Sequence, residues 1–279
     1  MTNTQYVLPS FFDIYYMTIN FRDNTVFYLR QGKGPTLVLL HGFLESLTMW
    51  KPLLPELTRQ FDVITIDLLG HGKTGTVAEI HSMELMAEAV EAVLKAEKIK
   101  KASFVGHSMG GYVVLAFAEL FPKTIENLIL LNSTPLDDSI TRKENRERAI
   151  VLIKKYPEAF ISMGVTNLFS KENSEIYLEE IEQTKTEALL FSVEGIIANI
   201  KGMKLRDTRL EVLKNFNGKK AIIAGQEDPI IEMEGLLGIS AETNTPLFKV
   251  QGGHMSHIEA RDEILEIIPR FLEHSNHVQ

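Results

Sequence analysis

Six short apolar runs, each leading into glycine or a polar residue, place the strongest constraint on how this chain can fold. Their continuous apolar character is typical of strands that are buried on both faces of a sheet. Helical patterns separate the runs. Strands that alternate with helices indicate a mostly parallel sheet with helices on both faces. The runs comprise residues 35–43, 62–72, 102–108, 125–133, 220–228 and 246–254.

Two segments depart from this alternation. Residues 16–34 predict two strands joined by a turn at Asp23–Asn24. Residues 135–213 contain no convincing buried strand and are charged and helical in pattern. We therefore predict a core made of residues 1–134 and 214–279, with residues 135–213 inserted as a helical cap over one end of the sheet. Ligands bind at the carboxyl ends of strands in open parallel sheets, so such a cap would cover a site.

Length and composition limit the possible classes of protein. The 279 residues suit one large domain, and the net charge of −8 argues against a nucleic-acid-binding surface. The absence of cysteine excludes disulfides, thiolate metal sites and a cysteine nucleophile. The N-terminal residues lack the pattern of a signal peptide, and no apolar segment is long enough to span a membrane. The sequence thus predicts a cytoplasmic protein.

Ser108 is the strongest candidate for a chemical role, because it lies in a G-x-S-x-G pattern at residues 106–110. The pattern stands between a predicted strand and a predicted helix, which is the context of a nucleophile elbow. Since that turn is tight, we expect Ser108 to take a positive φ, and Gly106 and Gly110 to leave room for the backbone. A serine that only caps the helix is the alternative. The strand, the helix and the additional Gly111 favour the nucleophile.

A serine nucleophile needs a base, and the base needs a residue that orients it. His254 follows the last predicted strand and precedes the final helix, where the chain order Ser…Asp/Glu…His places the base. His257 is the alternative, but it is expected to belong to the helix. His107 should point away from the nucleophile. His41 and His71 lie beside glycines at strand ends and are expected to shape those loops by hydrogen bonding.

Asp228 is the candidate for the orienting acid, because it directly follows a predicted core strand and precedes Pro229, which stiffens the turn. Its neighbour Glu227 competes for this role, and Asp137 or Asp138, after the fourth apolar run, is a further alternative. The chain order and the strand-end position favour Asp228.

The reaction of a serine nucleophile also needs donors for an oxyanion. One should be the backbone N–H of Met109, the residue after the nucleophile, and the other the backbone N–H of Phe43, in the loop after the first apolar run. Gly42 would allow the close turn that directs the Phe43 amide. The pair His254 and His257 has no third ligand nearby in sequence, so we predict neither a metal nor any other cofactor.

Together these residues resemble the α/β-hydrolase superfamily. The resemblance covers nearly the whole chain outside the insertion, and it implies an eight-stranded, mostly parallel sheet with a helical cap after the sixth strand. It also implies that Ser108, Asp228 and His254 form a catalytic triad. The matching stretches, in family order, are residues 41–43, 67–74, 106–111, 225–229 and 252–259.

Subfamily patterns narrow the expected activity. Dehalogenases of this fold use an aspartate nucleophile, which Ser108 excludes. The stretches 41–46 and 67–74 look like the menaquinone-pathway synthase that eliminates pyruvate, but its relatives usually carry arginine where this chain has Tyr112. Carbon–carbon hydrolases of ring-cleavage products usually carry asparagine where this chain has His107. The resemblance favours a capped serine esterase or lactonase, with a lyase or carbon–carbon hydrolase as the first alternative and a non-catalytic ligand receptor as the second.

The expected partner is a small to medium, partly apolar substrate molecule. We expect no nucleic-acid or membrane partner, and a monomer or a homodimer. Apolar side chains that could line the pocket, or equally belong to the core, are Phe43, Trp50, Met109, Phe160, Met163, Phe169 and Phe191.

Overall fold

The fold is an eight-stranded sheet with helices against both faces. The structure is a computed structural model, and it describes residues 16–170 and 173–273. The prediction that the N-terminus holds no signal peptide concerns residues that lie almost wholly outside the described ranges. The strands are β1 (Met17–Phe21), β2 (Asn24–Gly32), β3 (Thr36–Leu40), β4 (Asp62–Ile66), β5 (Ala102–His107), β6 (Ile125–Leu131), β7 (Lys219–Gly225) and β8 (Leu247–Val250).

The helices connect these strands in the alternating order that the sequence predicts. They are α1 (Leu54–Leu57), α2 (Met83–Ala96), α3 (Met109–Leu120), α4 (Ile140–Lys155), α5 (Pro157–Thr166), α6 (Leu178–Ala188), α7 (Val193–Leu205), α8 (Leu210–Lys214), α9 (Met233–Thr243), α10 (Ser256–Glu259) and α11 (Arg261–Glu273).

The strand order across the sheet is β1-β2-β4-β3-β5-β6-β7-β8. Strand β2 is antiparallel to both of its neighbours, and every pair from β4 to β8 is parallel. The predicted mostly parallel sheet is therefore confirmed. The hairpin turn lies one residue earlier than predicted. Phe21 pairs with Asn24, so Arg22 and Asp23 form the turn, both with positive φ.

Two apolar cores lie on opposite faces of the sheet. In β3, Val38 and Leu40 join the core beneath α2, α3 and α9, whereas Leu37 and Leu39 join the core beneath α1 and α11. All four side chains are fully buried. Strands buried on both faces need continuous apolar sequence, which explains the runs in the chain.

The segment between β6 and β7 is helical within its described residues and carries α4 to α8. A separate apolar cluster joins α4 to α7 through Ile153, Val165, Ala188 and Ile196, and it packs on Leu44 in the loop after β3. We call the helices α4 to α7 the cap helices. Their packing on that loop brings them over the carboxyl ends of the strands. No helix within the described ranges is long and apolar enough to cross a bilayer.

Candidate active site

Ser108 stands at the turn from β5 into α3, with φ +49° and ψ −114°. The positive φ that the sequence predicts is confirmed. A Cβ atom on Gly106 would lie 2.5 Å from the carbonyl carbon of Gly110, so only glycine permits the strand and helix to approach so closely. The Ser133 hydroxyl donates to the Ser108 carbonyl oxygen at 2.7 Å and holds the turn from the neighbouring strand end.

A continuous chain of hydrogen bonds links Ser108 to a histidine and an aspartate. Oγ of Ser108 lies 2.9 Å from Nε2 of His254, and Nδ1 of His254 lies 2.8 Å from Oδ2 of Asp228. In this arrangement the Ser108 hydroxyl donates to His254, and the other ring nitrogen donates to Asp228. The structure thus brings together the three residues that the sequence singles out, from the carboxyl ends of β5, β7 and β8.

The Asp228 carboxylate is held by backbone and side-chain donors. Its Oδ1 accepts the backbone N–H groups of Ile230 and Ile231 at 2.7 and 3.0 Å. Burial would raise the pKa of Asp228, but the electrostatic interaction and hydrogen bond with His254, a hydrogen bond from Asn132 and the Ile230 amide together keep that pKa below its ordinary value. Asp228 therefore remains ionised and fixes the orientation of the His254 ring.

The competing acids have other contacts. Glu227 is exposed beside Asp228. Asp137 pairs with Lys143 at 2.8 Å, and Asp138 is shared by Arg146 and Arg206. Neither aspartate contacts the histidine.

Asn132 is a site residue that the sequence analysis did not identify. Its Nδ2 donates to Oδ2 of Asp228 at 3.0 Å and to the Gly253 carbonyl at 3.1 Å, and its φ is +46°. It therefore joins the loop that carries the acid to the loop that carries the base. The available signal was its position directly after β6, at the same edge of the sheet as Ser108.

The two predicted oxyanion donors lie on loops that flank Ser108. A Cβ atom on Gly42 would lie 3.2 Å from Cβ of Ser108, so the loop that carries Phe43 passes directly beside the serine. Met109 is the first residue of α3. Within residues 16–170 and 173–273, the backbone N–H groups of Phe43 and Met109 have no hydrogen-bond acceptor. They are therefore free to donate to a bound molecule.

Behind the His254 ring lies a buried pair formed by Glu45 and His107. Oε2 of Glu45 is 2.8 Å from Nδ1 of His107 and also accepts the Gly42 N–H at 2.6 Å. The other ring nitrogen of His107 donates to the His254 carbonyl oxygen at 2.8 Å. As predicted, the His107 ring is hydrogen bonded away from the Ser108 hydroxyl.

The pKa values of this pair move in opposite directions. Burial would lower the pKa of His107, but the charge of Glu45 and the hydrogen bond between them raise it. Burial would raise the pKa of Glu45, and the charge of His107 lowers it. The pair is therefore a buried imidazolium–carboxylate contact.

The histidines near the other strand ends are neutral supports for loops, as predicted for His41 and His71. His41 accepts the Leu68 N–H at 2.9 Å, and His71 accepts the Leu44 N–H at 3.2 Å. Burial lowers the pKa of His41 to about 4 and places that of His71 well below its ordinary value. Neutral rings are required here because each must accept a hydrogen bond.

The only group of three potential metal ligands within the described residues comprises Glu45, His107 and His257. Both ring nitrogens of His107 are already hydrogen bonded, to Glu45 and to the His254 carbonyl. His257 packs its ring against Trp50 and His107, and burial lowers its pKa to about 3. An ion would have to displace His107 from one of its partners, so the geometry is that of a hydrogen-bonded support for the site.

A cavity of about 170 Å³ lies between Ser108 and the cap helices. Phe43 and Phe160 line it, as predicted, together with Tyr112, Met203 and two arginines, Arg142 and Arg146. The remaining predicted lining residues lie elsewhere: Trp50, Met109, Phe169 and Phe191 are buried in the core or beneath the cap helices, and Met163 is 56% exposed.

Comparison with known proteins agrees with the fold. The model of a family described as the alpha/beta hydrolase fold matches residues 35–160. A solved esterase of Thermogutta terrifontis, with malate bound, has a TM-score of 0.85 and 27% identity over 90% of this chain and 93% of its own. A 2-hydroxy-6-oxo-2,4-heptadienoate hydrolase of Pseudomonas putida is 26% identical over 86% of this chain and 90% of its own.

Uncharacterized proteins of Mycobacterium tuberculosis are 35% identical over 102 residues, and the match spans 30% of their length. The chain has the α/β-hydrolase fold, the class that the eight-stranded sheet and the nucleophile elbow define.

Proposed function

We propose that this protein is a serine hydrolase that cleaves a carboxylic ester or a lactone through an acyl-enzyme. The observation that carries the proposal is the hydrogen-bonded series Ser108–His254–Asp228 beneath a cavity of about 170 Å³. The similarity to the esterase of Thermogutta terrifontis supports it. A lactone is a cyclic ester, so the same chemistry opens it.

In the first half of the reaction, Oγ of Ser108 attacks the carbonyl carbon and its proton passes to Nε2 of His254. Asp228 stabilises the imidazolium and holds the ring in place. The amides of Phe43 and Met109 donate hydrogen bonds to the negatively charged former carbonyl oxygen. Each such donor typically contributes about 10²–10³ in rate.

In the second half, the carbon–oxygen bond to the leaving group breaks and His254 protonates the departing alkoxide. A water molecule then attacks the acyl-enzyme and gives a proton to His254. The bond to Ser108 breaks, His254 returns the proton to Oγ, and the carboxylic acid leaves. The small cavity, below the roughly 300–1,000 Å³ of sites for drug-sized ligands, favours a substrate of few carbon atoms next to the scissile bond.

A fluorophosphonate probe and an ester panel test the proposal. The wild-type protein should be labelled at Ser108 and should hydrolyse p-nitrophenyl esters of two- to eight-carbon acids or γ- and δ-lactones. The Ser108→Ala variant should keep its circular dichroism spectrum and lose both activities. Ser108 that stays unlabelled in folded protein contradicts the proposal and favours the ligand-receptor alternative. Full hydrolysis by the Ser108→Ala variant contradicts it too and favours a different nucleophile.

The similarity to the Pseudomonas putida heptadienoate hydrolase supports one second candidate, carbon–carbon hydrolysis with the same three residues. A 2-hydroxy-6-oxodienoate substrate distinguishes carbon–carbon hydrolysis from the hydrolysis of an ester or lactone. Cleavage of this compound at a kcat/KM well above that of every ester and lactone in the panel favours the second candidate.

A further inference from the structure

We propose that the cavity above Ser108 binds a substrate that carries a carboxylate, and that the guanidinium group of Arg142 pairs with it. The inference rests on the proposed function and narrows the substrate class to anionic esters or lactones. It is carried by the placement of Arg142 and by the balance of charge around the cavity.

Arg142 lines the cavity with Ser108 and His254, which places a permanent cation at the same cavity as the serine. Its Nη2 donates to the carbonyl oxygen of Ile230, on the loop that holds Asp228. No carboxylate pairs with Arg142 among residues 16–170 and 173–273. A guanidinium group has five N–H donors in a planar fork that matches a carboxylate, so donors remain for a bound anion.

The two carboxylates near the cavity, Glu45 and Asp228, are each hydrogen bonded to a histidine. Glu45 pairs with His107, and Asp228 pairs with His254. The Glu45–His107 pair is neutral as a whole, and the Asp228 carboxylate is bound by His254, Asn132 and two backbone amides rather than by Arg142.

A net positive charge comes from a second group of side chains, around Asp138. Asp138 is fully buried and is shared by Arg146, which also lines the cavity, and Arg206, whose guanidinium group lies 4.0 Å from the ring centroid of Tyr112. One carboxylate shared by two guanidinium groups leaves one positive charge uncompensated. In a chain of net charge −8, this side of the cavity is positive, and a low-dielectric wall strengthens its attraction for an anion.

The position of Arg142 in its helix is unfavourable for a cation. It lies in the first turn of α4, after the N-cap Ser139, and that turn contains no acidic residue. Cations near a helix N-terminus are opposed by the helix dipole. The helix position therefore does not by itself favour an arginine here, and the contacts of its side chain are with the Ile230 carbonyl and the cavity.

Two matched pairs of esters test the inference. Monomethyl adipate and methyl hexanoate differ by a carboxylate in place of a methyl group on the acyl side, and 6-acetoxyhexanoate and hexyl acetate differ in the same way on the alcohol side. We expect kcat/KM to be about 10- to 100-fold higher for the anionic member of one pair, the range of a hydrogen bond to a charged group. The pair that shows the preference identifies the side of the substrate that carries the anion.

Variants of two arginines on α4 provide the matched comparison. Arg142→Gln should reduce the anionic-to-neutral ratio of kcat/KM to about 1, and Arg142→Lys should retain part of it. Arg148, which pairs with Glu144 and does not line the cavity, is the control, so Arg148→Gln should keep the wild-type ratio. A wild-type ratio near 1 in both pairs, or an unchanged ratio in Arg142→Gln, overturns the inference.

Calorimetry separates this result from a failure of the proposed function. If no ester in the panel is hydrolysed, the binding of monomethyl adipate to the Ser108→Ala protein is measured with and without Arg142→Gln. Binding that weakens by about 10-fold or more in the double variant supports the anion site without any turnover. No measurable binding to Ser108→Ala, or equal binding to both proteins, overturns it.

Discussion

His107 Nε2 donates to the backbone carbonyl oxygen of His254 at 2.8 Å. The residue directly before Ser108 therefore supports the loop that carries His254, the hydrogen-bond partner of the serine. The same ring contacts Glu45 through its other nitrogen, and Glu45 accepts the amide of Gly42. One buried ion pair therefore connects the loop of the predicted oxyanion donor with the loop of the predicted base. The position of each loop depends on the charge of both partners.

Replacement of Glu45 by glutamine should lower stability most in mildly acidic solution. The pKa of His107 is raised above its ordinary 6.5, so its contribution is complete below pH 6.5 and is lost as the pH rises through the folded-state value. The pKa of Glu45 is lowered from 4.5, so its contribution is present above pH 4.5 and is lost in more acidic solution. The pair therefore contributes its full stabilisation between about pH 4.5 and 6.5.

We expect Glu45→Gln to cost about 3–5 kcal/mol of unfolding free energy at pH 5.5, the range for a broken buried pair, and clearly less at pH 8.5. Urea denaturation of both proteins at the two pH values measures the difference. Glu91→Gln is the control, because it removes a carboxylate whose partner is a lysine, Lys95, rather than a histidine. A loss for Glu45→Gln that grows from pH 5.5 to pH 8.5 contradicts the proposed charge state.

Ser108→Gly should be more stable than Ser108→Ala. Both variants lose the hydroxyl group, but only glycine adopts φ +49° without strain. Relief of about 1–3 kcal/mol of strain, less the entropy of glycine in the unfolded chain, leaves a gain of about 1 kcal/mol in unfolding free energy. Thermal and urea denaturation measure it.

Glycine in place of alanine should have the opposite effect on stability at an ordinary helical position. Ala159 is exposed in α5, so Ala159→Gly should lower the unfolding free energy by about 0.5–1 kcal/mol. Equal stability of the two Ser108 variants would show that the turn at Ser108 is unstrained.

Asp228→Asn should reduce kcat by about 10²–10⁴ with a small change in KM, because an amide cannot stabilise the His254 imidazolium and can favour the wrong tautomer. Steady-state kinetics with a p-nitrophenyl ester provide the measurement. The neighbouring Glu227 is the matched control, and Glu227→Gln should retain wild-type kcat. A larger loss in Glu227→Gln than in Asp228→Asn would reassign the acid.

The effects of Ser108→Ala and His254→Ala on kcat should not add. Each removes the same proton transfer, since Oγ of Ser108 and Nε2 of His254 are joined by one hydrogen bond of 2.9 Å. The double variant should therefore have a rate close to that of the slower single variant. A double variant slower by the product of the two single losses would mean that the residues act independently.

Local patterns in the sequence were enough to predict the strands, the mostly parallel sheet, the helical character of the β6–β7 segment and the elbow at Ser108. Each of these depends on a few neighbouring residues: apolar periodicity decides which face is buried, and glycines decide where the backbone can turn closely. Because the carboxyl ends of parallel strands meet at one edge, strand-end position was also enough to select His254 and Asp228 for the site.

The contacts between distant loops were decided by the tertiary structure alone. Glu45 and His107 are 62 residues apart in sequence, and Asn132 and Asp228 are 96 apart. Neither pair belongs to a local motif. The presence of Arg142 and Ser108 in one cavity depends likewise on how α4 packs against the rest of the chain. Burial and packing between elements set these distances. The resulting contacts give His107 its charge and make one side of the cavity positive, and no local pattern encodes them.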